Sequence, residues 1–519
     1  MKVLVLSLLR AGDLVMQRPL LAALKEQSPG CELHILINDE VSWIAPVLKE
    51  VDHIHTFPRQ ILQRLTGEAN HNIFRAHLEL SSFLSHLNDQ AFDQVINWTH
   101  NRLSAYLAEE IAAPQKKGLH TEGLRFHGID NQWLKLFNDR FSGSSSFPFH
   151  YTEILAQSFD LKIKAPLPPA QGKIGRIFLQ VLTSDTKKNW GLANFRNLLN
   201  ELYLQYPNLI IKVLASEKEK FFLQNYFESD EICTWDMQTL ENELSSSDLL
   251  VTGDTVTLHL AAQKSTHILE IALGSSDPWK TGPYASGHYI LSSKVACSPC
   301  LHSKPCGQIS HLCGEHITPK AVKTVIRHIV EQKLDSEKIP TLSENVQLFK
   351  SQIQSFGYDL VTKNSVKDLR VLNKIIWKKI FDPNSTQVSL KPSDFGFTDS
   401  DWTDWQSELQ ETRFLLQYDF ENLVQRLGVH ELTLFDIQEV RRKMGSLKVA
   451  SVNQEWIWMF VDLAQLSFST PLHFLSAFQD RLEILKGALF YRDEMTNIKI
   501  RGLHESGSGT VSESGLVEA

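Results

Sequence analysis

The chain has 519 residues, 52 Lys and Arg against 60 Asp and Glu, and a net charge of −8, with 42% hydrophobic and 22% charged residues. That length exceeds what one hydrophobic core can organise and calls for about three domains. The acidic balance excludes a bulk nucleic-acid binder, and no stretch offers the ~20 apolar residues of a membrane-spanning helix.

The first apolar run, 3–9, follows Lys2 but meets Arg10 and Asp13 at once, with no small-residue cleavage site behind it. It reads as a buried strand rather than a signal peptide, and the chain is expected to be cytoplasmic. Further strands are expected at 31–37, 53–57 and 94–98, with helical spacing between them, as at 18–27. This alternation makes residues 1–165 a parallel sheet flanked by helices. The segment Lys164-Ala-Pro-Leu-Pro-Pro-Ala-Gln-Gly172 is an extended, semi-rigid connection and the clearest domain boundary.

The pattern restarts over 173–335. Strands at 176–183 and 209–216 surround a helix at 193–206; strand 248–252, helix 255–264 and strand 266–273 follow. Two doubly wound units in succession place a ligand cleft between them. After about 335 strand-like runs nearly vanish. Period-3.6 apolar spacing over 366–381, 405–426 and 432–444 predicts a mainly α-helical domain over 340–504. The Ser/Gly/Glu-rich end, 505–519, has the composition of a disordered tail.

Candidate chemistry gathers where strands give way to helices. In Arg10-Ala-Gly12-Asp13, Gly12 permits a sharp turn and Asp13 lies near a helix start, as a cap or as a reactive carboxylate. Pro19 either kinks a helix begun at Asp13 or opens the helix proper. In Gly253-Asp254-Thr255-Val-Thr-Leu-His259, a helix N-terminus offers free N–H groups to a diphosphate. There Thr255 could donate a hydroxyl, Asp254 could hold a sugar or ribose hydroxyl, and His259 shares a face with Thr255. The alternative is a capped helix with a satisfied histidine. Thr183-Ser184-Asp-Thr-Lys-Lys188 could cradle phosphate or be a solvated loop. The Gly/Pro-rich stretch 274–284 reads as a shaped loop rather than a helix.

The spacing Cys297-x2-Cys300-x5-Cys306-x6-Cys313 admits a structural zinc as one reading and unmetallated thiols as the other. Trp456-Ile-Trp-Met-Phe460 reads as helical core, with docking at a membrane surface as the second reading. The twenty histidines look scattered and form no metal-ligand tract.

Taken in order, these motifs resemble glycosyltransferase family 9, the ADP-heptose:lipopolysaccharide heptosyltransferases. The resemblance rests on the first strand with Arg10, Gly12-Asp13, Leu14, Pro19-Leu20 and Leu24. It rests equally on Asp254-Thr255, His259-Leu-Ala-Ala262, Gly274, Asp277-Pro278, Thr281-Gly-Pro-Tyr284 and the cysteines at 297, 300, 306 and 313. It covers about residues 1–330. It implies a GT-B fold of two Rossmann-like domains facing a cleft, the first holding the acceptor and the second the nucleotide-sugar. It also implies an inverting, metal-independent transfer from an ADP-sugar, needing no cofactor. In that picture Asp13 is the general base in an acceptor-side loop with Arg10 and Gly12. Thr183, Ser184, Lys188, Glu217, Asp254, Thr255 and His259 bind the donor.

The acceptor would be a lipopolysaccharide-core or related surface glycan, met at the cytoplasmic face of the inner membrane. The sequence departs from the family pattern in the serine-free loop Leu8-Leu9-Arg10-Ala11, in Gly191 after Trp190, in Glu270 within an otherwise apolar strand, and in everything beyond 340. A nucleotide-sugar epimerase and a non-catalytic nucleotide-sugar-binding scaffold are the other two functions these residues accommodate.

Overall fold

A computed structural model describes residues 1–67, 72–123, 125–129, 131–141, 147–170, 172–332, 342–362 and 369–381, with scattered positions between 407 and 485. The chain divides into two compact units, 1–145 with 149–363, and 146–148 with 364–519.

In the first unit the elements run β1 (Lys2–Leu6), α1 (Ala11–Met16), α2 (Arg18–Gln27), β2 (Glu32–Asn38), β3 (His53–Phe57), α3 (Arg59–Thr66), α4 (Ile73–Asn88), β4 (Gln94–Asn97), α5 (Arg102–Glu110) and β5 (Gln115–Lys117). A hairpin of β6 (His120–Glu122) and β7 (Arg125–His127) and the helices α6 (Gln132–Arg140) and α7 (Tyr151–Ser158) complete this half. The strands form one parallel sheet in the order β3-β2-β1-β4-β5. Val3, Leu4, Val5 and Leu6 are all fully buried, because a central parallel strand is covered on both faces and reads as a continuous apolar run. Pro19 does both things the sequence allows. The helix breaks at Gln17, and α2 opens with Pro19 in its first turn, where a missing N–H costs nothing.

The second half continues with β8 (Arg176–Gln180), α8 (Leu192–Gln205), β9 (Ile210–Leu214), α9 (Glu217–Leu223), β10 (Ile232–Cys233), α10 (Met237–Glu243), β11 (Asp248–Thr252), α11 (Val256–Gln263), β12 (His267–Ala272), α12 (Pro278–Thr281), β13 (Tyr289–Ser293), α13 (Leu312–His316) and α14 (Pro319–Val330). Two more strands, β14 (Val346–Gln354) and β15 (Gly357–Val361), end it. The sheet order is β10-β9-β8-β11-β12-β13-β14-β15, parallel from β10 to β13 and antiparallel beyond. A core that includes Ile177, Leu179, Phe195, Leu199, Val251 and Ile326 packs the helices onto this sheet.

The last two strands depart from the sequence expectation, which began a helical region at 340. In β14 the buried Val346, Leu348 and Ser351 are interleaved with Lys350 and glutamines, and the strand is fixed by pairing with β13 rather than by its own pattern. The two halves are locked by Arg18 in α2, which donates to Glu50 at 2.8 Å and to Glu241 of α10 at 2.9 Å. Gln263 of α11 also donates to the Val15 carbonyl at 2.5 Å.

In the second unit, α15 (Leu369–Phe381) buries Val371, Ile375, Ile376 and Trp377, an apolar face at helical spacing. It falls within the helix expected over 366–381. The expected helices at 405–426 and 432–444 are described at a few positions only. The 456–460 aromatic stretch and the 505–519 tail lie outside the described residues. Among the described residues no helix is long and apolar enough to cross a membrane.

Candidate active site at the strand ends of the two halves

Asp13 is carried by α1, directly after the C-terminal end of β1. It is the third residue of the helix rather than its cap. Its carboxylate accepts the Arg10 N–H at 3.3 Å and so closes the first turn from inside. The helix leans on α11 of the other half at Gly12, where a Cβ would meet the His259 ring at 3.3 Å and the Val256 Cα at 4.0 Å. A Cβ there would press on the His259 ring of the other half. Burial pushes the Asp13 carboxyl up from its ordinary value, and the charge of Asp254 adds to the rise. The Arg10 N–H and His259 only partly offset it.

Across that contact, β11 ends in Thr252 and α11 begins. Thr255 caps α11, its hydroxyl taking the Leu258 N–H at 3.4 Å and meeting the Thr252 hydroxyl at 3.0 Å. Asp254 is almost enclosed. Lys188 donates to it at 2.6 Å, His259 approaches at 3.4 Å, and the Thr281 hydroxyl donates to it at 3.4 Å. Burial alone would raise its pKa, but Lys188 and His259 outweigh burial and hold this carboxyl well below the usual range. Lys188 therefore meets a carboxylate within the protein, where the sequence suggested a phosphate cradle or a solvated loop. The Nδ1 of His259 is buried with no hydrogen-bond partner among the described residues.

Beneath this pair lies Glu270, fully buried on β12 and level with Thr252 of β11. Ser276 donates to its Oε1 at 3.0 Å, while Oε2 has no partner among the described residues. Burial, reinforced by the charge of Asp254, raises its pKa to about 8, so it is mostly protonated at neutral pH. Sequence reasoning noted Glu270 only as an oddity in an apolar strand; a lone carboxylate in such a run was the available signal. The segment expected as loop at 274–284 contains the short helix α12, capped by Asp277 and opened by Pro278. Gly274, at φ +59°, lies so close to the Lys187 backbone that any side chain there would collide with it.

The loop bearing the cysteines folds over the 183–188 segment. Lys187 donates to the carbonyls of Leu301, His302 and Lys304, at 3.1, 3.0 and 2.6 Å. His302 reaches both Asp185, at 3.4 Å, and Arg10 of the first half. Thr183 is committed to the loop itself, its N–H bonded to Asn189 at 2.8 Å and its hydroxyl to the Asp185 carbonyl at 2.7 Å; Ser184 is exposed. Glu217 begins α9 and takes a hydrogen bond from Thr234, two strands away from β11. Cys297, Cys300, Cys306 and Cys313 are free thiols, and burial together with the three neighbouring thiols raises the pKa of Cys300.

The structure thus joins Arg10, Gly12, Asp13, Lys188, Asp254, Thr255 and His259 in one cluster and leaves Glu217 outside it. A carboxyl of raised proton affinity lies beside a helix N-terminus at which Asp254 holds Lys188, at the carboxyl ends of parallel strands in two sheets. Residues 80–308 match the family model of glycosyltransferase family 9 (heptosyltransferase). Those residues belong to family 9.

The family 9 region takes in Lys188, Asp254, Thr255 and His259 but begins after Asp13, whose place is given by the packing of α1 on α11. The doubly wound halves are the two Rossmann-like domains of a GT-B fold. Similar solved structures include the family 9 glycosyl transferase of Veillonella parvula, 16% identical, covering 64% of this chain and 97% of that one with a TM-score of 0.47. The E. coli heptosyltransferase WaaC with ADP is 17% identical, with 63% and 100% covered and a TM-score of 0.43. E. coli ADP-heptose lps heptosyltransferase II is 13% identical, with 64% and 100% covered and a TM-score of 0.42. Among curated proteins none matches.

Proposed function

We propose that the chain is an inverting, metal-independent glycosyltransferase that moves a sugar from a nucleotide-sugar to a hydroxyl of a surface glycan. The observation that carries this reading is the contact of Gly12 with His259, which brings Asp13 beside Asp254 and the start of α11. Asp13 takes the proton of the acceptor hydroxyl as its oxygen attacks the anomeric carbon. The bond from that carbon to the diphosphate oxygen breaks on the opposite face. A carboxyl pushed up by burial is a stronger base than a solvated one, which suits the transfer.

The departing diphosphate is received by the free N–H groups of α11 and by Lys188, which take the place a divalent cation would otherwise fill. Asp254, kept ionised by its partners, accepts hydroxyls of the donor. Thr183, Ser184, Thr255 and His259 line the donor side, and Glu217 contributes only if the donor reaches across to α9. The family match and the sequence resemblance favour heptose from ADP-heptose and a lipopolysaccharide-core acceptor at the inner membrane's cytoplasmic face.

Nucleotide binding by calorimetry, with ADP, UDP, GDP, CMP and TDP compared, tests the reading together with Asp13→Asn and Asp254→Ala. ADP binding lost in Asp254→Ala, with transfer lost but ADP binding kept in Asp13→Asn, is the expected result. Selective binding of another nucleotide would discard heptose but keep the transferase. Transfer that survives Asp13→Asn would remove the general base. Inversion of a sugar stereocentre without acceptor would make the protein an epimerase, and absence of any nucleotide binding would leave a scaffold.

A further inference from the structure

Three of the histidines that look scattered in the sequence, His34, His53 and His55, gather on the first sheet. β2 contributes Glu32 and His34, two residues apart and therefore on one face, and the parallel register sets His34 against His53 of β3. Nε2 of His34 lies 3.2 Å from Oε1 of Glu32, and Nε2 of His53 lies 3.0 Å from the same oxygen. One ligand atom from each of the three lies within 4.8 Å of the others. Tetrahedral zinc with bonds of about 2.0–2.1 Å holds its ligand atoms roughly 3.3 Å apart, close to the 3.2 and 3.0 Å that separate the Glu32 oxygen from the two imidazoles.

We propose that Glu32, His34 and His53 bind a divalent first-row transition cation, zinc foremost, at the amino ends of β2 and β3.

Two further features support a built site. Nδ1 of His34 is 2.9 Å from Nε2 of His55, the next inward histidine of β3. With the cation bound, that Nδ1 carries the proton and donates to His55, which fixes the tautomer that turns the Nε2 lone pair towards the cation. The rings of His34 and His55 are stacked at 5.2 Å, and Phe92 stands edge-on to both at 5.0 and 6.0 Å, an apolar wall behind the ligands. The outer side is open. His34 is buried, but the side chains of Glu32 and His53 are 40% and 53% accessible, leaving an entry path and a position for water. Lys2 and His86 are the other titratable groups near the stack. Imidazole and carboxylate ligands suit zinc, nickel or copper better than magnesium or calcium. The site lies at the end of the sheet opposite Asp13, which follows the carboxyl end of β1.

The test uses the full chain, stripped with a chelator and titrated with Co2+ by absorption and Zn2+ by equilibrium dialysis. One equivalent of Co2+ should bind with d–d absorption and no thiolate charge-transfer band, and should persist in Cys297→Ser/Cys300→Ser. His53→Ala and Glu32→Gln, both at accessible positions, should abolish that binding while circular dichroism stays unchanged. His55→Ala, which removes only the positioning partner, should weaken Zn2+ by about 10- to 100-fold. Binding that survives His53→Ala, a thiolate band that vanishes in the cysteine variant, or no stoichiometric binding at all would each overturn the proposal. Glycosyl transfer should be unaffected by His53→Ala, so failure here leaves the reading of the Asp13 cluster untouched.

Discussion

Asp13 and Asp254 occupy equivalent places in the two halves of the molecule. Each follows the carboxyl end of a central parallel strand and stands at the start of a helix. Their chemistry is opposite. Asp13 accepts an N–H of its own turn and is pushed up by burial, whereas Asp254 is gripped by Lys188 and His259 and held down. Topology supplies the position at a strand end; the neighbouring cations decide whether a carboxylate there is a base or a fixed charge.

Breaking the contrast from the Asp13 side should have the largest effect. Asp13→Asn should lower the transfer rate by roughly 10²–10⁴-fold with donor affinity retained. The acidic limb of the wild-type pH–rate profile should fall above the ordinary aspartate range, measurable by steady-state kinetics.

On the other side, Lys188→Met leaves Asp254 enclosed without its main counter-charge. It should cost about 3 kcal/mol in denaturant unfolding. Adding Asp254→Asn should return most of that loss, because the cost is the unpaired charge rather than the missing side chain.

Glu270 sharpens the comparison as a third carboxyl, one with no cation in contact among the described residues. Its folded pKa, about 8, lies above the ordinary 4.5, so the native state keeps a proton that the unfolded chain gives up. Stability is therefore full below about pH 4.5 and declines as pH rises towards 8. Glu270→Gln should remove that slope and add about 3 kcal/mol at about pH 7, read from urea midpoints across the range. A flat wild-type profile would mean that Glu270 is ionised in the folded protein.

The smallest expected effect is that of Thr255→Ala. Removing a cap hydroxyl at 3.4 Å should cost about 1 kcal/mol or less and shift the melting temperature by a few degrees at most.

Much of the molecule was legible before folding. The runs 53–57 and 248–252 are strands with the expected limits, and the helix at 18–27 is α2. Central parallel strands such as β1 and β11 are covered on both faces, so their local sequence is largely apolar and needs no partner to be recognised. β14 and β15 were missed for a different reason: they form the antiparallel end of the sheet, carry mixed residues, and owe their form to pairing in the series β13-β14-β15. In the candidate site, Asp13 and Asp254 stood out because each follows a glycine at a strand-to-helix junction, and His259 because it shares a helix face with Thr255.

What the sequence determined by itself was the succession of two doubly wound units and the junctions where polar residues collect, since both follow from short-range periodicity and backbone requirements. Only the tertiary structure decided which groups meet. It turned Lys188 onto Asp254, placed Glu270 beneath them, set α1 against α11 at Gly12, and stacked His34, His53 and His55 on one sheet face. Charges, proton affinities and ligand geometries depend on separations of a few ångströms between residues tens to hundreds of positions apart, and no local pattern encodes those separations.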